Sequence, residues 1–258
     1  MAVYSNRPAA SGTEWRLTGL EFQVLWRQLG LDRMPYPLRY RPIAETQDDL
    51  DRQRRDASAA LLPRLTEALH RHLVALAEPT VRIEVFGFAG RPDTTPVRMH
   101  AGIRGDTGTL AIQLPGHDLD TGGDVLVHGV APTRIPDAIA SALPTAPAGS
   151  RSTVRFRRTD LQPARGGVLT SAGSVGLRDE VRALLGRPRS GTGEITAFAG
   201  AAYDSRPTDD GAALHWLDFE DGRYLLRGDR DVSVRPADTA GVASEITALL
   251  DGVRESAR

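Results

Sequence analysis

A chain that repeats itself is constrained to fold as two copies of one unit, and this sequence repeats. Glu84-Val85-Phe86-Gly87-Phe88-Ala89-Gly90 aligns with Glu194-Ile195-Thr196-Ala197-Phe198-Ala199-Gly200 at an offset of 110 residues. Asp106 to Leu110 then aligns with Glu220 to Tyr224 at 114, and Asp124-Val125-Leu126-Val127 with Asp231-Val232-Ser233-Val234 at 107. Near the starts, Trp15-Arg16-Leu17-Thr18-Gly19-Leu20-Glu21 matches Phe156-Arg157-Arg158-Thr159-Asp160-Leu161-Gln162. Four matches in one order indicate a duplication. The expected halves are 13–144 and 151–258, joined by a small-residue linker into a single domain.

Each half opens with a short strand and a Thr followed three residues later by Glu or Gln. That spacing is a capping box, in which the hydroxyl and the Glu/Gln side chain satisfy early helix N–H groups reciprocally. A helix is therefore expected from Thr18 to Gly30, and a shorter one after Thr159, curtailed by Pro163 and Gly166-Gly167. Met34-Pro35-Tyr36-Pro37-Leu38 reads as extended, because a residue before proline avoids the helical region. A long helix runs from about Glu45 to Ala77 with a break at Pro63. Strands are expected near 81–89, 97–103, 109–114 and 124–130, then a helix near 135–143. The second half gives strands near 153–158, 192–200, 213–219, 222–227 and 231–235, with helices near 175–186 and 238–255. Thr107-Gly108 and Asp221-Gly222 read as hairpin turns. The fold class expected is α+β: two pseudo-symmetric halves forming a central, mostly antiparallel β-sheet flanked by helical bundles.

Composition excludes much chemistry. All 32 basic residues are arginine and there is no cysteine. Schiff-base and phosphate-loop lysines are excluded, as are thiolate nucleophiles, thiolate metal sites and disulfides. A net charge of −1 argues against a nucleic-acid partner. No segment is apolar enough to span a membrane, and the first residues lack the apolar core of a signal peptide, so a cytoplasmic protein is expected.

The remaining motifs read as structure. His70 and His72 lie two apart on a helix and cannot chelate together. His100, His128 and His215 are scattered over strands. His117 to Asp124 has no carboxylate at the twelfth position of a calcium loop. Gly191-Thr192-Gly193 precedes a strand where a dinucleotide loop must follow one. Gln47-Asp48-Asp49-Leu50-Asp51, followed by Arg52, Arg54 and Arg55, reads as a solvated helix start. No metal, cofactor or catalytic constellation is expected.

One sheet face is different. Alternation places Val81, Ile83 and Val85 on one side, and Arg82, Glu84, Phe86 and Phe88 on the other, with Glu194, Thr196 and Phe198 as the repeat's counterparts. A face mixing aromatic and charged side chains is either covered by helices or serves as a docking surface.

Trp15 to Leu31, followed by Met34-Pro35-Tyr36-Pro37-Leu38, resembles the start of the EspG family, chaperones of ESX (type VII) secretion in actinobacteria. The resemblance lies in a Thr-led amphipathic helix with an internal Leu-Trp, a Leu-Gly-Leu turn and a Pro-x-Pro-Leu segment. Gly222-Arg223-Tyr224-Leu225-Leu226 and Val232 to Asp238 resemble the family's closing segment. The resemblance implies a cytosolic, non-enzymatic protein. It would bind the hydrophobic helical tip of a PE/PPE-like pair, or another helical-hairpin substrate, keep it soluble and direct it to secretion. A monomer or weak dimer is expected. The docking residues expected are the loop Arg91-Pro92-Asp93-Thr94-Thr95-Pro96 together with Arg82, Phe86, Phe88, Phe198 and Trp216. The competing readings are a small-ligand binder or enzyme using His100, His215 or Asp at the seam between halves, and a protein that dimerises through an open sheet edge.

Overall fold

The computed structural model describes residues 13–90, 95–118, 121–161, 172–202 and 210–256. The first half contains strand β1 (Glu14–Leu17), helices α1 (Gly19–Gln28), α2 (Gln47–Leu61) and α3 (Glu67–Ala77), and strands β2 (Val81–Ala89), β3 (Thr95–Arg104), β4 (Thr107–Pro115) and β5 (Gly122–Val130), closing with α4 (Ile135–Ala142). The second contains β6 (Val154–Arg157), α5 (Ala172–Leu185), β7 (Gly191–Ala199), β8 (Ala212–Phe219), β9 (Gly222–Arg227), β10 (Asp231–Pro236) and α6 (Thr239–Ser256).

The ten strands of the described residues join one sheet in the order β1-β5-β4-β3-β2-β7-β8-β9-β10-β6, with every neighbouring pair antiparallel. The order reads the same from either end once β7 to β10 and β6 are matched to β2 to β5 and β1. At the centre, β2 and β7 pair along their full length, and Val85 faces Ile195. These two residues are also aligned at the 110-residue offset, so the rotation relating β2 to β7 passes between them.

Local signals explain most element boundaries. Thr18 caps α1: its Oγ1 accepts from Glu21 N at 3.1 Å, and Glu21 Oε2 accepts from Thr18 N at 2.8 Å. Thr46 and Thr66 cap α2 and α3 in the same way with one bond each. Pro63 produces the expected break, a single 3-10 turn over Leu62–Arg64 between α2 and α3.

Three local expectations need correction. Thr107 and Gly108 lie in β4; the turn is Gly105-Asp106, because Gly105 takes φ +58° and an L side chain there would be strained. Similarly the β8–β9 turn is Glu220-Asp221, one residue earlier than read, with Gly222 opening β9 at φ +125°. Met34 to Leu38 is not simply extended: Tyr36-Pro37 is cis, and Leu38 N donates to Pro35 O at 2.8 Å, closing a turn. Thr159 sits in a 3-10 turn, Arg158–Leu161, and its expected box partner Gln162 falls outside the described residues.

The sheet carries three cores. One face packs against α4 and α6, through Ile83, Val85, Leu110, Ile139, Ile195, Trp216, Ile246 and Leu250, among others. On the opposite face, α1 and α3 cover β4 and β5 with Phe22, Trp26, Leu69 and Leu73. At the far end of that face, Val181 and Leu184 of α5 cover Phe156, Leu217, Phe219 and Tyr224. The strip between these two helical lobes, carried on β3, β2, β7 and β8, is the mixed face read from the sequence.

Candidate functional site

Register fixes which side chains share the strip. Arg98 and His100 of β3 lie beside Phe86 and Glu84 of β2. Those in turn lie beside Glu194 and Thr196 of β7, and Glu194 lies beside His215 of β8. Arg82 faces Phe198 across the seam.

One end of the strip is closed and polar. Arg82 and Glu84 are each under 5 % exposed. Arg82 Nε donates to Glu84 Oε1 at 3.0 Å and Nη1 donates to Gly200 O at 3.1 Å. Its guanidinium lies 4.0 Å over the Phe198 ring, so the arginine's flat face and its edge donors are both used. Burial pushes the Glu84 carboxyl above its usual range, and the Arg82 pairing offsets only part of this. His100 is buried; its Nδ1–H donates to Tyr36 O at 2.8 Å, and burial lowers its pKa to about 4, so it is neutral at physiological pH.

The other end is more open. Phe86 and Phe88 are half-buried and meet edge-on with ring centroids 5.3 Å apart; Glu194 is exposed and His215 half-buried. Tyr36 approaches Phe86 at 6.1 Å from one side. The chain beyond it is tied down by Gln113, which accepts from Arg39 N at 2.8 Å and donates to Arg39 O at 2.6 Å. A half-buried aromatic pair with polar neighbours, between two helical lobes, suits an apolar partner surface with a polar rim.

The residues singled out from the sequence therefore divide. Phe86 and Phe88 form the open aromatic patch. Arg82 and Phe198 belong to the buried polar end. Thr95 and Pro96 open β3, half-buried and buried, paired with Ala89 and Phe88. Arg91, Pro92, Asp93 and Thr94 lie outside the described residues. Trp216 is fully buried on the opposite face, in the α4/α6 core, because its strand neighbour His215 takes the strip side. It lies over Gly87 and Gly193, where an added Cβ would come within 2.6 Å and 2.1 Å of the indole. Those two glycines make room for the ring.

Tyr36 and His215 belong to the strip and lie outside the docking residues expected from the sequence, whereas alternation along β7 already places Glu194 on this face. His215 follows from pairing β7 with β8 in register; Tyr36 arrives through a loop that no periodicity marks. His100 and His215 do not converge. They are separated by three strand spacings, roughly 14 Å, since β2 and β7 lie between them. Among the described residues no group of three or more His, Cys, Asp or Glu side chains could hold a metal. Two further histidines have local partners: His72 Nδ1 is 2.8 Å from Thr109 Oγ1, and His128 Nδ1 is 3.5 Å from Glu14 Oε2. No helix among the described residues is long and apolar enough to cross a membrane.

Among curated proteins, no sequence matches this chain. It is similar in structure to the type VII secretion system chaperone EspG5 of Mycobacterium tuberculosis, solved in complex with a PE25-PPE41 dimer. That likeness has a TM-score of 0.59 and 16 % identity over 93 % of this chain and 96 % of that one, and it supports the fold. The sequence profile of the EspG family matches residues 18–248, most of the chain. The chain belongs to the EspG family.

Proposed function

We propose that this protein is a cytosolic type VII (ESX) secretion chaperone that binds the hydrophobic helical tip of a PE/PPE-type substrate and holds it soluble for export. Family membership over residues 18–248 carries the reading. The structure adds a suitable surface: the half-buried Phe86–Phe88 patch, at the end of the strip from which the segment 91–94 leaves β2. We place the docking site on Phe86 and Phe88, with Thr95 and Pro96 at the start of β3 beside them and Arg91, Pro92, Asp93 and Thr94 as further docking residues. Glu194 and His215 form the polar rim, while Arg82 and Phe198 close the buried end of the same face. An apolar helix tip exposed in the cytosol aggregates, and a shallow aromatic patch covers it while allowing release. The role needs no catalytic residue, and the two halves, 13–144 and 151–258, act as one rigid platform.

The test is co-expression with the helical secretion substrate pair encoded nearest to it, followed by size-exclusion chromatography. A ternary complex is expected with the unaltered chain and a weakened one with Phe86→Ala/Phe88→Ala. Failure to co-elute with any such pair rejects the reading.

A further inference from the structure

The sheet ends at β6, and among the described residues no strand pairs with its outer edge. Val154 and Phe156 turn into the α5 core, so Arg155 and Arg157 project from the opposite face. Arg155 lies in register beside Ser233, which lies beside Arg227, and Arg157 lies beside Asp231. Arg151, Arg158 and Arg230 are exposed nearby.

Among the described side chains, this edge carries more positive charge than carboxylate charge. The carboxylates described there are Asp229, 3.8 Å from Arg158, and Asp231, 3.4 Å from Arg157. Both pairs are largely solvent-exposed and so contribute little. Arg227 is already held by Glu245 of α6 at 2.6 Å. Arg155 and Arg230 make no ion pair among the described residues. The whole chain has 33 acidic residues against 32 basic, so this is a local concentration of arginine. Two hollows lie along it, about 520 Å³ beside Arg158, Thr159 and Arg230, and about 450 Å³ beside Arg155 and Ser233.

We propose that the outer edge of β6 receives an extended acidic segment of a partner polypeptide, which adds to the sheet as a further strand. An open edge offers backbone donors and acceptors that only another polypeptide backbone matches. On an added strand, every second side chain faces the same way as Arg155 and Arg157. Side chains directly opposite across a strand pair have Cβ atoms about 5 Å apart, which places carboxylates within reach of both guanidiniums. The positions between them continue the Val154 and Phe156 side and take apolar residues. The motif recognised is therefore an alternation of acidic and apolar residues. Arg155 and Arg157 point to the α4/α6 side, away from the Phe86–Phe88 patch, so both surfaces can be occupied together.

The test is fluorescence anisotropy of the full chain with three labelled peptides: alternating Glu-Val, alternating Lys-Val and alternating Glu-Pro. The Glu-Val peptide is expected to bind in a salt-sensitive manner and Lys-Val not to bind. Glu-Pro, which lacks half the backbone donors, should bind at least about tenfold more weakly than Glu-Val. Arg155→Glu/Arg157→Glu should weaken Glu-Val by about tenfold or more. Should that variant misfold, the neutral Arg155→Gln/Arg157→Gln pair carries the same expectation. Equal binding of Glu-Val and Glu-Pro would mean diffuse charge attraction and overturn the proposal. So would unchanged affinity in the variants, or no Glu-Val binding at all, which would leave the arginines as protection of the edge against self-pairing.

Discussion

Arg82 and Phe198 face each other across the β2–β7 seam, with the guanidinium 4.0 Å over the ring. The contact joins the two halves, and Glu84 and Gly200 O occupy the edge of the same guanidinium. Arg82→Ala should cost about 3–5 kcal/mol, because Glu84 is left buried without its partner. Arg82→Met with Glu84→Gln should recover much of that loss, since the stranded charge is then gone. Urea unfolding of the two variants measures both; equal loss in both would show that the ion pair is not the source.

Trp216 depends on two glycines for its place. Gly193→Ala puts a methyl group where the indole lies, and overpacking of this kind costs roughly 1–3 kcal/mol. Gly87→Ala should behave alike. Intrinsic fluorescence should shift with the fall in melting temperature, whereas Gly176→Ala, at a glycine whose added Cβ meets nothing within 4 Å, should leave the fluorescence unchanged.

His100 gives the fold a pH dependence. It is neutral and buried in the folded state, with a pKa lowered from 6.5 to about 4. The unfolded chain therefore binds the proton first as pH falls, and stability is lost below pH 6.5 down to about 4. The loss is up to about 3 kcal/mol for this one group. Glu84 on β2 and Arg82 face the same region, and the Tyr36 carbonyl holds the ring. Denaturation midpoints between pH 7 and pH 4.5 should fall more steeply for the native chain than for His100→Gln. Parallel slopes would assign the acid sensitivity elsewhere.

Arg223 ties the end of the first half to the second. Its Nε and Nη2 donate to the two oxygens of Asp218 at 2.7 and 2.8 Å, and Nη2 also donates to Pro144 O at 2.6 Å. The side chain is 1 % exposed. Arg223→Ala should cost about 3–5 kcal/mol. Arg223→Lys keeps the charge but not the planar fork, and should still lose more than about 1 kcal/mol in thermal or urea unfolding.

Phe86 and Phe88 give the functional prediction. Each single alanine variant should weaken substrate-pair binding by about 1–2 kcal/mol while changing the melting temperature little, because both rings are only half-buried. Isothermal titration with a purified pair separates loss of binding from loss of fold.

Much of this architecture is legible in the chain because it rests on short-range rules. The Thr18–Glu21 box, the Pro63 break and the period-2 alternation of Val81 to Phe88 each depend on residues a few positions apart. The turn at Gly105 was misplaced by two residues, because Thr107-Gly108 and Gly105-Asp106 both contain glycine and only pairing register separates them.

Sequence by itself determined the element order, the repeat and the composition of the mixed face, since alternation along β2 assigns Arg82, Glu84, Phe86 and Phe88 to one side whatever packs on it. Tertiary structure decided which of those side chains remain accessible. Burial depends on what reaches these side chains from elsewhere: Tyr36 from a loop some fifty residues before Phe86, and Phe198 from the other half. Trp216 shows the same limit, because its face follows from its pairing with Gly193, a long-range register that composition and local periodicity do not contain.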